Sequence, residues 1–146
     1  MATSSALETL IELATSQTDE AAKRLGKAIR ACADTEQKLA LLLQYRDDYD
    51  ARFKAGMAHG ITAAGYRNFQ LFMDKLDKAI AGQQQIVNDA KRRIQEERLL
   101  WQSSERKRMS YDTLATRAQQ VQQHKENKRD QKLMDEHATR QANYKR

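Results

Sequence analysis

Three histidines, one cysteine and two clusters of cations are the residues of this chain whose types could do chemistry. His59, His124 and His137 could bind a metal or move a proton near neutral pH, but they are scattered in sequence and no HExxH pattern joins any of them. No GxxxxGKS/T loop is present to cradle nucleotide phosphates. Asp135 and Glu136 are adjacent, so on a helix they point in different directions, and lone carboxylates on a charged helix face solvent. Lys91-Arg92-Arg93 and Glu105-Arg106-Lys107-Arg108 could grip phosphates, the basis of nonspecific nucleic-acid affinity. Only Trp101 and Tyr111 stand close to them, so the pattern reads as a protein-facing or solvated surface, with no nucleic acid expected. The single cysteine excludes an intramolecular disulfide. No catalytic, cofactor-binding or metal-binding residue, and no cofactor, is expected; the chain does not read as an enzyme.

The elements that carry these residues are set by a spacing. Leu7, Ile11, Ala14, Thr18, Ala21, Leu25, Ala28, Cys32, Thr35, Leu39, Leu42, Arg46 and Tyr49 step along the chain by alternating fours and threes, and ten of them are apolar. A hydrophobic residue every 3.5 positions keeps one seam of a helix against a partner helix over many turns. Cys32 occupies that seam and reads as a small buried hydrophobe. A second stripe runs through Tyr66, Phe69, Met73, Leu76, Ile80, Gln83, Val87, Ala90, Ile94, Glu97 and Trp101 with the same spacing.

Composition agrees. Proline is absent, glycines number five, 32% of residues are charged and only 6% are aromatic, which favours long solvated helices over a globular core. The net charge of +6 is unevenly placed: residues 1–83 hold 11 Lys/Arg and 11 Asp/Glu, whereas residues 84–146 hold 15 and 9. The second part therefore either meets an acidic surface or presents a solvated helical face. The start, MATSSALETL, lacks a basic region followed by an apolar core, and the longest apolar run is Leu39-Ala40-Leu41-Leu42-Leu43. A cytoplasmic protein is expected.

These patterns predict an all-α fold, a two-stranded antiparallel coiled-coil hairpin in a single domain, residues 1–146. Ser5-Ala6-Leu7-Glu8 fits a capping box, placing helix 1 at about 5–54. Three of the five glycines fall in residues 55–65, the expected turn. Helix 2 should span about 66–123, with a flexible or partner-ordered tail over 124–146. Folding about residue 60 pairs positions whose numbers add to about 120, so Leu7 should lie near Thr113 and residues beyond it should overhang. Leu114, Val121, Leu133 and Met134 are too widely spaced among charges to hold that overhang against this chain. The small seam residues Ala14, Ala21, Ala28 and Cys32 bury little area, so most stabilisation should come from Leu39 onward, toward the turn.

Six of the nine aromatics, Tyr45, Tyr49, Phe53, Tyr66, Phe69 and Phe72, crowd around the turn. Tyr49 and Phe69 sit on their seams, whereas Phe72, Leu76 and Ala79 form a displaced row. That row is either a second apolar face that anchors a protein partner or packing that a linear pattern does not resolve.

Ala6-Leu7-Glu8-Thr9-Leu10 at the start, Leu42, Tyr45 and Tyr49 before a glycine-bearing turn, and Phe72, Leu76 and Ala79 after it resemble the FliJ family. FliJ is the small coiled-coil component of the bacterial flagellar type III export apparatus. The stretch Arg129-Asp130-Gln131-Lys132-Leu133-Met134-Asp135-Glu136-His137-Ala138-Thr139-Arg140 is the most specific part of the likeness, which covers nearly the whole chain. Lys38 and Gln83 stand at the edges of the presumed docking face, where the family pattern has glutamine and histidine.

The resemblance implies a coiled coil similar to the central stalk of rotary ATPases. Both chain ends would enter the hexameric export ATPase, FliI, and the region near the turn would contact the export gate protein FlhA, giving peripheral association with the inner membrane. Carried over residue by residue, Leu7, Ile11, Arg129, Lys132, Leu133 and Met134 would serve the ATPase ring; Leu42, Tyr45, Tyr49, Phe72, Leu76 and Ala79 would serve the gate. Family members are also thought to escort export chaperones, for which no site is legible in the residues. An injectisome stalk with the same hairpin, a nucleic-acid-binding coiled-coil arm and a structural homodimer are the alternatives at this stage.

Overall fold

With no proline to withhold a backbone donor, helix runs through nearly the whole chain. The computed structural model describes residues 2–145, with side chains from Ser5 onward. Helix α1 is Ala2–Met57, 56 residues, and helix α2 is Ala63–Tyr144, 82 residues. No strand occurs among the described residues, and the two helices pack against each other as an all-α hairpin, as the heptad spacing predicts.

Element bounds differ from the sequence reading at the turn and the start. Helix α1 begins at Ala2 rather than near Ser5. Ser5 lies inside it, and its carbonyl accepts a hydrogen bond from the Thr9 hydroxyl at 3.0 Å. The connection is residues 58–62, shorter than the expected 55–65, because Gly56 and Gly65 are absorbed into the helices, a cost of about 1 kcal/mol each relative to alanine. Gly60 ends α1 at φ +85, a backbone region open to glycine and costly for other residues. His59 and Gly60 donate to the carbonyls of Gly56 and Met57, each at 3.1 Å. Thr62 then caps α2: its hydroxyl accepts the Gly65 N–H at 3.0 Å, and its carbonyl accepts that of Tyr66 at 3.0 Å.

The helices divide into two units, one spanning Glu20–Gln102 and one comprising, in its described part, residues 2–19 and 103–145. In the first, the helices run antiparallel in the expected register. Arg46 Nε lies 2.7 Å from Asp77 Oδ1, Gln83 Nε2 donates to the Thr35 carbonyl at 3.0 Å, and Arg24 Nε lies 3.6 Å from Glu97 Oε2. These pairs have numbers adding to between 118 and 123. Ala21, Ala28, Cys32, Met73, Leu76 and Val87 form the buried core of this unit.

In the second unit the seam is thinner and more polar. Leu7, Ile11, Ala14 and Thr18 of α1 are covered, and on α2 the half-buried positions are Ser104, Glu105, Arg108, Tyr111, Asp112 and Ala115. Thr18 is buried with its hydroxyl satisfied by the Ala14 carbonyl at 2.9 Å. All thirteen seam positions predicted in α1 are buried or half-buried, and of those predicted in α2 only Tyr66 is exposed. From Thr116 to Lys145 every residue is exposed, and α2 continues as helix through Tyr144. The tail expected to be partner-ordered falls in this stretch, apart from its last residue, 146, which lies outside the described residues.

Candidate docking faces

The six aromatics around the turn interleave from the two helices into one zipper. Phe53 stacks on Phe69 with ring centroids 3.7 Å apart and planes 8° from parallel. Tyr49 follows, 5.6 Å from Phe69 and 4.4 Å from Phe72. Tyr45 meets Phe72 edge-on at 6.1 Å and 75°, and Tyr66 closes the other end against Phe53 at 6.0 Å. The edge-on Tyr45–Phe72 pair suits the ring quadrupole, whereas Phe53 and Phe69 stack nearly face to face. The zipper both packs and presents: Phe53, Phe69, Tyr49 and Phe72 are half-buried, whereas Tyr45 is 49% and Tyr66 45% exposed.

Of the residues assigned to the gate, Tyr45, Tyr49 and Phe72 are therefore together. Leu42 is half-buried and Ala79 exposed. Leu76 is different: at 7% exposure it belongs to the core, which its place in the second stripe already indicated. Gln83, read as an edge of the face, spends its side-chain amide on the Thr35 carbonyl. Ile86, one heptad beyond Ala79 and 50% exposed, prolongs the row and was missed because its neighbour Val87 takes the seam. Arg46 borders the cluster, and the hydrogen bond and charge of Asp77 raise its guanidinium above the ordinary arginine value.

The residues assigned to the ATPase ring are not one cluster. Leu7 and Ile11 are half-buried in the seam, which on α2 extends only to Ala115. Arg129 begins the other group about 20 Å further along α2 at 1.5 Å per residue. Arg129, Lys132, Leu133 and Met134 are exposed, Leu133 at 56% and Met134 at 72%. A long helix with no covered face gets little stability from its own chain.

Three of the six cations in the two basic clusters, Arg92, Arg93 and Arg108, stand beside acidic partners. Arg108 is engaged by Glu105 and, at 2.8 Å, by Asp112. The hydrogen bond from Arg108 lowers the Glu105 carboxyl, against the opposing effect of desolvation, and the same pairing raises Arg108. Arg92 faces Asp89 at 3.7 Å and Arg93 faces Glu97 at 3.7 Å. The hydrogen-bonded Arg108 grips phosphates less well than a free arginine, whereas Arg92 and Arg93 are held by charge alone. Buried Cys32 behaves as the small hydrophobe its position implied; burial, and then Glu36, raise its thiol above the ordinary value.

A two-helix hairpin of this kind belongs to the antiparallel coiled-coil proteins. The family model described as "Flagellar FliJ protein" matches residues 3–146. The chain is 33% identical over 142 residues to the flagellar FliJ protein of Escherichia coli (strain K12) and 32% identical over 142 residues to that of Salmonella typhi, with 97% of each chain covered in both cases. It belongs to the FliJ family, a family of flagellar export components rather than of enzymes. No helix among the described residues is long and apolar enough to cross a membrane.

Proposed function

We propose that this chain couples the flagellar export ATPase FliI to the export gate protein FlhA as a non-catalytic stalk. Tyr45, Tyr49 and Phe72, with Leu42 and Ala79 beside them, dock FlhA; Leu76 supports them from within the seam. Leu7, Ile11, Arg129, Lys132, Leu133 and Met134 engage the FliI hexamer and promote its assembly and activity. Association with the cytoplasmic face of the inner membrane follows through the gate. Escort of export chaperones belongs to the same reading as a further task of the family.

The observation that carries the proposal is the uncovered stretch of α2 from Thr116 to Tyr144. A helix this long with no apolar partner in its own chain is a segment that completes its packing in another protein. The test is ATP hydrolysis by the cognate FliI with the full chain and with a chain ending at Gln123. Stimulation by the full chain, lost on truncation, is expected. An active, ring-forming FliI that responds to neither would overturn the ring assignment. Tyr45→Ala and Phe72→Ala should abolish FlhA binding while FliI stimulation persists; binding that survives both sinks the gate assignment.

A further inference from the structure

A groove of about 470 Å³ opens on the unit Glu20–Gln102, and none of the residues proposed for FlhA or FliI lines it. Its floor is small and apolar: Ala28 and Ala31 from α1 and Ala90 from α2. Its walls are charged, with Arg24 and Lys27 on α1 and Arg93 on α2. Over residues 23–30 α1 carries Lys23, Arg24, Lys27 and Arg30 and no acidic residue. The groove is therefore the place where the most cationic stretch of α1 meets α2.

Glu97 organises the cations. It is 8% exposed and lines the groove, drawing in Arg24 at 3.6 Å and Arg93 at 3.7 Å. Both distances exceed hydrogen-bonding range, and Glu97 Oε2 has no hydrogen-bond partner. The carboxylate thus gathers two guanidiniums from two helices by charge and leaves their forked donors uncommitted. Lys27, exposed on the same wall, has no ion-pair partner among the described residues.

We infer that this groove is a docking site for an acidic helical segment of a partner protein. Arginine forks recognise carboxylates by paired hydrogen bonds, and two of them with a lysine surround the floor. Alanines at the floor let a third helix approach to the roughly 8–10 Å of ordinary helix packing. A continuous phosphate backbone fits less well, because Asp89 and Glu97 in the same lining would repel it. Discrete carboxylates can be placed between these acids, opposite Arg24, Lys27 and Arg93.

The test uses the full chain and a fluorescein-labelled, alanine-rich helical peptide whose glutamates are spaced three and four apart, followed by anisotropy. Its twin with glutamine at every glutamate is the control. Lys27→Glu should weaken binding about tenfold, as a charge reversal at a complementary contact does. Arg93→Gln should weaken it less, and Lys75→Glu with Lys78→Glu, exposed and outside the groove, should leave it unchanged, with far-UV circular dichroism confirming the fold of each variant. No binding, equal binding of the glutamine twin, or indifference to Lys27→Glu would overturn the inference. Tighter capture of duplex DNA or anionic vesicles through Lys27 would also overturn it, in favour of a polyanion site.

Discussion

Leu76→Ala separates the core from the docking face. Leu76 is 7% exposed, so the substitution removes three buried carbons at about 0.8 kcal/mol each. A seam between only two helices can close on the gap, which keeps the cavity contribution small. The expected loss is about 2–2.5 kcal/mol, or about 5–10 °C in melting temperature for a chain of this size. Tyr45→Ala makes the contrast. Tyr45 is 49% exposed and meets Phe72 edge-on at 6.1 Å, so its removal should cost less than about 1 kcal/mol. Both variants are to be melted by circular dichroism at one protein concentration and then measured for FlhA binding. Leu76→Ala should lose stability and regain FlhA affinity on cooling, whereas Tyr45→Ala should melt normally and not bind. A Leu76→Ala chain that melts within about 2 °C of the parent yet fails to bind at any temperature would refute the assignment of Leu76 to the seam.

Glu97→Leu should stabilise the chain by about 1–2 kcal/mol in urea unfolding, because a buried, poorly hydrogen-bonded carboxylate costs more to desolvate than its long ion pairs return; destabilisation would show those pairs to be the stronger effect. Gly60→Ala should cost about 1–2 kcal/mol from the left-handed backbone at φ +85, while Gly82→Ala, where an added methyl meets nothing within 4 Å, should gain about 1 kcal/mol. Equal melting shifts for the two would contradict the turn geometry. Arg108 holds the Glu105 carboxyl below its ordinary 4.5, so the stabilisation is complete above that value and is lost as pH falls through the folded-state value. The stability difference between the parent and Glu105→Gln should shrink below about pH 4.5 and stay constant above it; the opposite trend would show the pairing to be absent in solution.

The seam of α1 was legible because its residues repeat every three and four positions, and the polar members Thr18, Thr35 and Arg46 do not break that rhythm. On α2 the same rhythm continues through Ser104, Arg108, Tyr111 and Ala115, but serine and arginine carry no hydrophobic signal, so the apolar stripe ends at Trp101. The turn was read too wide because Gly56 and Gly65 signal loop by propensity, whereas tertiary packing of the flanking helices overrides a cost of about 1 kcal/mol. Tyr45, Tyr49 and Phe72 adjoin in the structure because Tyr45 and Phe72 each lie one position from a seam residue and share its flank of the helix with Tyr49; it was the family resemblance that grouped them. Leu76 was read both into the second stripe and into the displaced row with Phe72 and Ala79, and at 7% exposure it belongs to the stripe. The groove over Ala28, Ala31 and Ala90 could not be read from the sequence, because it exists only where two small-residue stretches face each other.

Trp101 is the chain's only tryptophan, and it stands half-buried where the apolar run on α2 gives way to Ser104 and Arg108. The molecule therefore carries its own optical gauge. Indole emission moves to longer wavelength as water reaches the ring, so no label is needed to see whether the helices around Trp101 part. A partner that parts the helices and lets water reach the ring will shift the emission to the red, and one that covers the exposed part of the ring will shift it to the blue.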